Sequence, residues 1–278
     1  MRTIVGVLVA VCIGCDGQSP TQPTPVAPVP DQPPARYSLY GSVQDTAYRP
    51  VADVRIEVVD SQRAGASVVT DAAGRYELAG SFSGAMLVRA SKNGYVAVDK
   101  RHDPSIWRQE RQQLAFTLEL SSPSVNLTGS YALTLTADAA CTGLPVEVRT
   151  RTYPASIALR ENPSEPHQYE AVLGGATFLA SPLVGRFQIS VAGTFGYFYL
   201  GDPYDWIDAI VEELAPSTYL ATWGFGGLPV GESPIVGALA YGGFEYCVSS
   251  TSPVANGWYR CPAEAIRCGL QRLQLVRQ

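Results

Sequence analysis

Histidine and lysine are nearly missing from this chain: among 278 residues there are two of each, His102 and His167, Lys92 and Lys100. With so few imidazoles a serine triad has no placed base, and no GxSxG elbow supplies a nucleophile. Both histidines sit among polar and proline neighbours and read as loop surface. The cysteines lack the CxxC knuckle spacing of a zinc site, and the acidic stretch after Gly201 lacks the ligand spacing of an EF-hand. No basic tract exceeds a pair, and the net charge is −5, so the electrostatic footprint of a nucleic-acid binder is absent. No apolar run approaches the roughly 20 residues that a bilayer-crossing helix needs. No cofactor and no metal is implied by what remains.

What is present begins with Thr3 to Cys15, TIVGVLVAVCIGC, an apolar run of about 11 residues behind Arg2. It is too short to span and has the length of a cleaved export signal. The small residue before Cys15 resembles the bacterial lipobox. That resemblance implies a signal peptide over 1–14, diacylglycerol and a palmitate-type chain on Cys15, and a mature N-terminus tethered to a membrane. The alternative is an ordinary secretory signal in which Cys15 is one more thiol. Asp16 resembles the inner-membrane retention signal of enteric bacteria.

From Asp16 to Ala35 there are seven prolines in 20 residues and little apolar bulk. Such a segment favours extended polyproline II, and at about 3.1 Å per residue it reaches roughly 60 Å. The span 15–36 is expected to be a lipidated spacer.

Between 37 and 120 the pattern changes to short alternating runs. Val54, Ile56 and Val58 alternate with Arg55 and Glu57; Leu114, Phe116, Leu118 and Leu120 alternate with Ala115, Thr117 and Glu119. These are half-buried strands. Asp71-Ala-Ala-Gly74 predicts an Asx-type turn, and Asn93-Gly94 a type I′ hairpin. About seven strands in this span predict a Greek-key sandwich. The series Gly41-x-Val43-x-Asp45, Pro50-Val51-Ala52-x-Val54, Thr70-Asp71-x-x-Gly74-x-Tyr76-x-Leu78 and Ala90-Ser91-Lys92-x-Gly94-Tyr95 resembles the carboxypeptidase regulatory-like, transthyretin-related domain. The resemblance implies an accessory module beside other domains, without chemistry of its own.

A second domain is expected over 125–278. Tyr131, Leu133 and Leu135 share one face; so do Phe187, Ile189 and Val191, then Phe195, Tyr197 and Tyr199, then Tyr219, Ala221, Trp223 and Phe225. Eight to ten such strands without a helical pattern predict an antiparallel barrel, a lipocalin-like meander, or else a large sandwich. The segments Leu127-Thr128-Gly129-x-Tyr131-x-Leu133, Ala137-x-x-x-Cys141-x-x-Leu144-Pro145 and Arg149-x-Arg151-x-Tyr153 also resemble uncharacterised lipoproteins of soil bacteria such as Acidobacteria. That likeness implies no activity.

Four cysteines, Cys141, Cys247, Cys261 and Cys268, form an even set beyond Cys12 and Cys15, and in an exported chain they read as two disulfides. If the meander closes, its last strand runs antiparallel to its first, so Cys268 at the start of one meets Cys141 at the end of the other. Cys247 is then left with Cys261. A local Cys261–Cys268 bridge is the rival.

Four residues are ligand-binding candidates: Arg149, Arg151 and Tyr153, which with Glu147 share a face of one run, and Trp223. Facing a barrel interior, the guanidiniums and the phenol would suit a carboxylate or phosphate. Alternation instead favours Val146, Val148, Thr150 and Thr152 as the inner face, with the charged set in solvent. Asp202, Asp205, Asp208, Glu212 and Glu213 offer oxygen ligands or an acid and base pair, although acidic loops are common between strands. Tyr204, Trp206, Trp223 and Trp258 are expected in the core; outside it they would stack on sugar rings.

The sequence thus predicts a lipid-anchored envelope protein, periplasmic or surface-exposed, acting as a non-enzymatic binding or adhesion module. Its expected partners are the membrane, through the lipid, and a glycan, an envelope protein or a small apolar ligand. One alternative is a lipocalin-like carrier with a cavity inside the barrel. Another is an envelope hydrolase using Asp205 and Asp208.

Overall fold

The computed structural model describes residues 36–103, 110–162, 165–179, 184–201, 209–255, 258–261 and 264–278. The export signal, Cys15 and the proline-rich stretch lie outside them, as do Asp202, Tyr204, Asp205, Trp206 and Asp208. Residues Ala35–Gln278 make one compact unit.

The first half of that unit is a sandwich of two sheets. Its strands are β1 (Tyr37–Asp45), β2 (Arg55–Asp60), β3 (Ser67–Val69), β4 (Arg75–Phe82), β5 (Met86–Ser91), β6 (Val98–His102), β7 (Arg111–Gln113) and β8 (Phe116–Leu118). One sheet runs β4-β1 with β7 and β8 parallel along the far edge of β1; the other runs β3-β2-β5-β6. Alternation sets the inner faces: Leu39, Val54, Ile56, Val58, Val88 and Leu118 are fully enclosed between the sheets.

The predicted Asx turn forms, with Asp71 Oδ1 accepting from the Ala73 and Arg75 N–H groups at 2.9 and 2.8 Å. Gly74 closes it at φ +71, where an added Cβ would come within 2.4 Å of the Val43 carbonyl oxygen, so a side chain has no room. The Asn93-Gly94 turn differs from expectation. Only Gly94 has positive φ, as in a type II turn, while Tyr95 leaves β5 to bridge Leu120. The chain still doubles back, with β5 and β6 antiparallel and Ala90 opposite Val98, but the hairpin closes over the longer loop 91–97 and not over a two-residue turn.

The second half contains β9 (Gly129–Ala137), β10 (Thr150–Leu159), β11 (Gln168–Leu173), β12 (Thr177–Phe178), β13 (Arg186–Ala192), β14 (Phe195–Gly201), β15 (Ile210–Ala215), β16 (Thr218–Pro229), β17 (Ile235–Gly237), β18 (Tyr241–Val248), β19 (Val254–Ala255), β20 (Trp258–Tyr259) and β21 (Ile266–Arg277). Eight of these close an antiparallel barrel in the order β9-β10-β11-β13-β14-β16-β18-β21 and back to β9. Closure pairs the last strand with the first, Leu275 opposite Leu133 and Leu273 opposite Leu135. β15 continues along the edge of β16 that β14 occupies further on, and β17 does the same for β18 along β21.

Inward side chains form one continuous core. Leu133, Phe187, Ile189, Phe198, Phe244 and Leu275 are each 0% exposed. In an eight-stranded barrel the interior is just wide enough for side chains of this bulk to fill.

Among the described residues the two halves meet through the loop 45–50 and through a hydrogen bond between His167 and Glu119. Asp45, 1% exposed, accepts from the Ala47 and Arg49 N–H groups and from Arg49 Nε, which fixes the loop 45–50. From that loop Thr46 Oγ1 donates to the Val191 carbonyl at 2.6 Å, and Arg49 stacks 4.5 Å above the Phe195 ring. On the other side His167 Nε2 lies 2.6 Å from Glu119 Oε1.

Candidate functional site

The cysteines meet as the barrel topology requires. Cys141 bonds Cys268 with Cα atoms 5.7 Å apart, and Cys247 bonds Cys261 at 6.0 Å. The first bridge ties the end of β9 to the start of β21; the second anchors the hairpin β19–β20 against the outside of β16 and β18. Beneath that hairpin Val211, Tyr219, Ala221, Cys247 and Tyr259 make a small outer core. The Tyr259 hydroxyl is buried there without a hydrogen-bond partner among the described residues, and burial, with the Glu245 charge, pushes its ionisation far upward. Both bridges suit an extracytoplasmic protein, because disulfides persist in oxidising compartments. Among the described residues no helix is long and apolar enough to cross a membrane.

Arg149, Arg151, Tyr153 and Trp223 do not converge. Residues Val146–Val148 form a 3-10 turn, so the strand alternation starts only at Thr150 and the favoured inner face is overturned. Thr150 and Thr152 face out, while Arg151, Tyr153, Ala155 and Ile157 face in. Arg149, on the turn, donates Nε to the Leu144 carbonyl and Nη2 to that of Thr142, both at 2.9 Å, and so secures the loop after Cys141.

Arg151 and Tyr153 instead meet Glu212 of β15. Arg151 Nε lies 3.0 Å from Glu212 Oε2 and its Nη2 bonds Oε1; the Tyr153 hydroxyl donates to Oε2 at 2.8 Å. Phe178 covers the Tyr153 ring, centroids 5.6 Å apart. Burial opposes the Arg151 charge, but the bonds to Glu212 and Tyr153 outweigh it and hold the guanidinium above its ordinary value. Burial first, then the Glu212 charge, pushes the Tyr153 phenol well up. The fork is filled by the protein's own carboxylate, which leaves it a structural pair at the barrel end. Glu212 therefore belongs to the barrel wall and not to the acidic loop in which its position suggested it. His102 likewise ends β6, half-buried, with Nε2 2.6 Å from Gln112 Oε1 and its ring 5.5 Å from that of Tyr37, and is no loop residue.

Trp223 lies on the outside of the barrel, half-buried, and it has company. On β14 the aromatic side chains Phe195, Tyr197 and Tyr199 face outward, while Phe198 and Leu200 fill the interior. On β16 Trp223 and Phe225 face outward, with Leu220 and Leu228 inside. The Trp223 ring sits over Gly243 of the neighbouring strand, where a Cβ would approach its Cζ2 to 2.8 Å. Successive rings then touch across three strands: Tyr48 to Tyr197 edge-on at 5.2 Å, Tyr197 to Phe225 at 6.5 Å, and Phe225 to Tyr241 stacked at 5.5 Å.

At one end this aromatic row borders a groove of 410 Å³ lined by Tyr48, Gln188, Ser190, Tyr197 and Tyr199. Tyr48 comes from the sandwich loop 45–50, is 44% exposed and holds φ at +59; the other four come from β13 and β14. Aromatic rings wall the groove and an amide with a hydroxyl lines it, so it offers flat apolar contact and polar contacts together. The sequence signal was partial. Gln188 and Ser190 alternate with Phe187, Ile189 and Val191, which marks them as outward; nothing local marks Tyr48, whose place depends on how the loop docks.

With this geometry fixed, the molecule can be set beside known proteins. Residues 38–120 match the carboxypeptidase regulatory-like domain. The matched residues are those of the β1–β8 sandwich, and Tyr48 lies in its first loop. No curated protein matches the chain. Among solved structures it is similar to the Bacillus anthracis TIE protein at 12% identity, with a TM-score of 0.24, over 85% of this chain and 48% of that one. The chain thus spans about half the length of that protein.

Proposed function

We propose that this is a lipid-anchored, non-enzymatic envelope protein that binds a glycan in the groove between the carboxypeptidase regulatory-like module and the barrel. The observation that carries this reading is the outward aromatic row from Tyr48 through Tyr197 and Phe225 to Tyr241, next to a groove lined by Gln188 and Ser190. Sugar rings present apolar faces and hydroxyl edges, and a site of flat rings with an amide and a hydroxyl at its base answers both. Gln188 Oε1 already accepts from Gln168 Nε2 at 3.4 Å, and a lipid tail would offer no partner to the remaining Gln188 N–H groups or the Ser190 hydroxyl. Anchoring rests on Cys15 and its resemblance to the lipobox; export is supported by the two disulfides. The carrier reading finds less support, since the inward faces pack as a core of Leu, Ile, Val and Phe.

The test uses the full chain, exported with its bridges formed. Retention on insoluble cell-wall polysaccharide is expected for the wild type and for Phe198→Leu, a conservative change inside the barrel, and is expected to fall in Tyr197→Ala. Equal retention of wild type and Tyr197→Ala would remove the groove from the account. Separately, Cys15→Ser is expected to move the protein from the membrane fraction to the supernatant.

A further inference from the structure

A second cavity lies at the opposite kind of surface, polar and cationic, at the end of the sandwich where β1 begins. It measures 350 Å³, and its polar lining is Arg36, Ser61, Gln62, Arg63, Ser81 and Ser83. Five arginines of the sandwich, Arg49, Arg55, Arg89, Arg101 and Arg111, pair with carboxylates. Arg36 and Arg63 have no carboxylate within 4.0 Å among the described residues. Asp60, three positions before Arg63, is engaged by the Leu87 N–H and lies 3.7 Å from Arg101.

The Arg63 guanidinium is also held in place. It lies over the Phe82 ring, 5.6 Å from the centroid, and against Gly80, where the missing side chain leaves it space. Ser61 Oγ accepts from the Arg63 N–H at 3.1 Å, so its own O–H points elsewhere and is available to donate. Two guanidinium forks with serine hydroxyls around one space supply more donors than a carboxylate can accept. They match a tetrahedral oxyanion, whose three or four oxygens each take more than one hydrogen bond.

We infer that this cavity is a binding site for a phosphate group, carried either on a soluble phosphate ester or on a lipid headgroup. The site is independent of the glycan groove, which shares none of its residues. Its place in the chain favours the second source, because Arg36 follows directly on the proline-rich stretch 16–35 that leads from Cys15. Arginine is suited to such a task, being always charged and forked to meet phosphate oxygens bidentately.

The experiment uses the full chain as the Cys15→Ser variant, so that no acyl chain contributes, and two probes: glycerol 3-phosphate followed by NMR, and vesicles of phosphatidylglycerol against vesicles of phosphatidylcholine followed by co-sedimentation. Thermal melting verifies that each variant folds. Arg36→Ala and Arg63→Ala are each expected to weaken binding at least tenfold, whereas Arg75→Ala, an equal loss of charge at an exposed arginine away from the cavity, is expected to leave it unchanged. Binding to phosphatidylglycerol vesicles that glycerol 3-phosphate competes away identifies a headgroup site; binding of glycerol 3-phosphate without vesicle binding identifies a soluble ligand. The proposal is overturned if neither probe binds, or if Arg75→Ala weakens binding as much as Arg63→Ala does. Should Arg63→Ala fail to fold, Arg63→Gln, which keeps the stem over Phe82, carries the same expectation.

Discussion

The sandwich and the barrel are both antiparallel in the main and both built from alternating strands, yet they use the alternation differently. In the sandwich the bulky alternating faces of β1, β2 and β5 turn inward: Leu39 and Val43 on β1, Ile56 and Val58 on β2, Met86, Val88 and Ala90 on β5. In the barrel the heaviest aromatic faces of β14 and β16 turn outward, and the core is made by the intervening Phe198, Leu200, Leu220 and Leu228. Period-two alternation tells which residues share a face but not which face is wet. Where both faces are apolar, the choice falls to the volume available. A narrow eight-stranded barrel already holding Phe187 and Phe244 has little space for Tyr197, Tyr199, Trp223 and Phe225 as well. Excess aromatic surface on the outside is therefore where the binding reading begins.

The most disruptive perturbation treats the two halves alike. Each contains enclosed phenols that burial pushes upward: Tyr37 to about 12, with the Asp103 charge adding to the effect, and Tyr76 further, in the sandwich; Tyr153 and Tyr259 in the barrel. An unfolded phenol releases its proton near its ordinary 10.0, while the folded ones keep theirs. The stability these groups contribute is thus intact below about pH 10 and is lost as pH rises through 12. Alkaline titration followed by circular dichroism is expected to unfold both halves in that window. Loss of sandwich signal with retention of the barrel would show that Tyr153 and Tyr259 are less enclosed than Tyr76.

The disulfides separate the halves. Cys141–Cys268 closes a span of 127 residues and Cys247–Cys261 one of 14, for which the chain-entropy account gives about 5 and about 3 kcal/mol. Cys141→Ser with Cys268→Ser should lower the melting temperature of the barrel more than Cys247→Ser with Cys261→Ser. The sandwich contains no bridge, so its own hydrogen-exchange protection should change little in either variant. A larger effect of the short bridge would locate the weak point of the barrel in the outer core around Tyr259.

These bridges also mark how far the sequence could be read. The number and spacing of alternating runs allowed a barrel or a large sandwich; the structure has the barrel, and with closure Cys268 stands beside Cys141 and the local Cys261–Cys268 bridge is not formed. The carboxypeptidase regulatory-like sandwich was legible from turn chemistry at Asp71 and Gly74 together with the strand motifs. What stayed hidden depends on contacts between distant segments. The turn at Val146–Val148 shifted the strand start and reversed the face of Arg151 and Tyr153. Glu212 reaches them across 61 and 59 positions of sequence, and Tyr48 gains its role only when the loop 45–50 docks on β13 and β14.

The Arg151–Glu212 pair encloses its guanidinium more than the described salt bridges of the sandwich do: Arg49, paired with the buried Asp45, is 41% exposed against 26% for Arg151, and Arg55–Glu57 and Arg89–Asp99 lie in solvent. Glu212→Ala strands a partly buried guanidinium and is expected to cost about 3 kcal/mol. Adding Arg151→Met to that variant should recover most of the loss, because an apolar pair of similar bulk carries no desolvation penalty. Chemical denaturation of the three variants measures this. A double variant as unstable as Glu212→Ala would mean that the cost comes from the cavity left beside Tyr153 and Phe178 and not from the orphaned charge.

Tyr48 gives the smallest effect on stability and the sharpest division between the halves. It is rooted in the carboxypeptidase regulatory-like module, but its ring is nearly half exposed and its described aromatic contact is with Tyr197 of the barrel. Tyr48→Ala removes that edge-on contact, about 1 kcal/mol. If the groove binds a sugar chain, the same change lowers affinity about tenfold, or about 1.4 kcal/mol, by deleting one wall. Tyr48→Phe keeps the wall and is expected to retain binding. Tyr40→Ala, a change in the same module at a residue that does not line the groove, should leave affinity untouched. Isothermal titration with the polysaccharide fragment that the wild type retains distinguishes these outcomes. Equal affinity of Tyr48→Ala and wild type would confine any binding to the barrel and return the sandwich to a purely structural role.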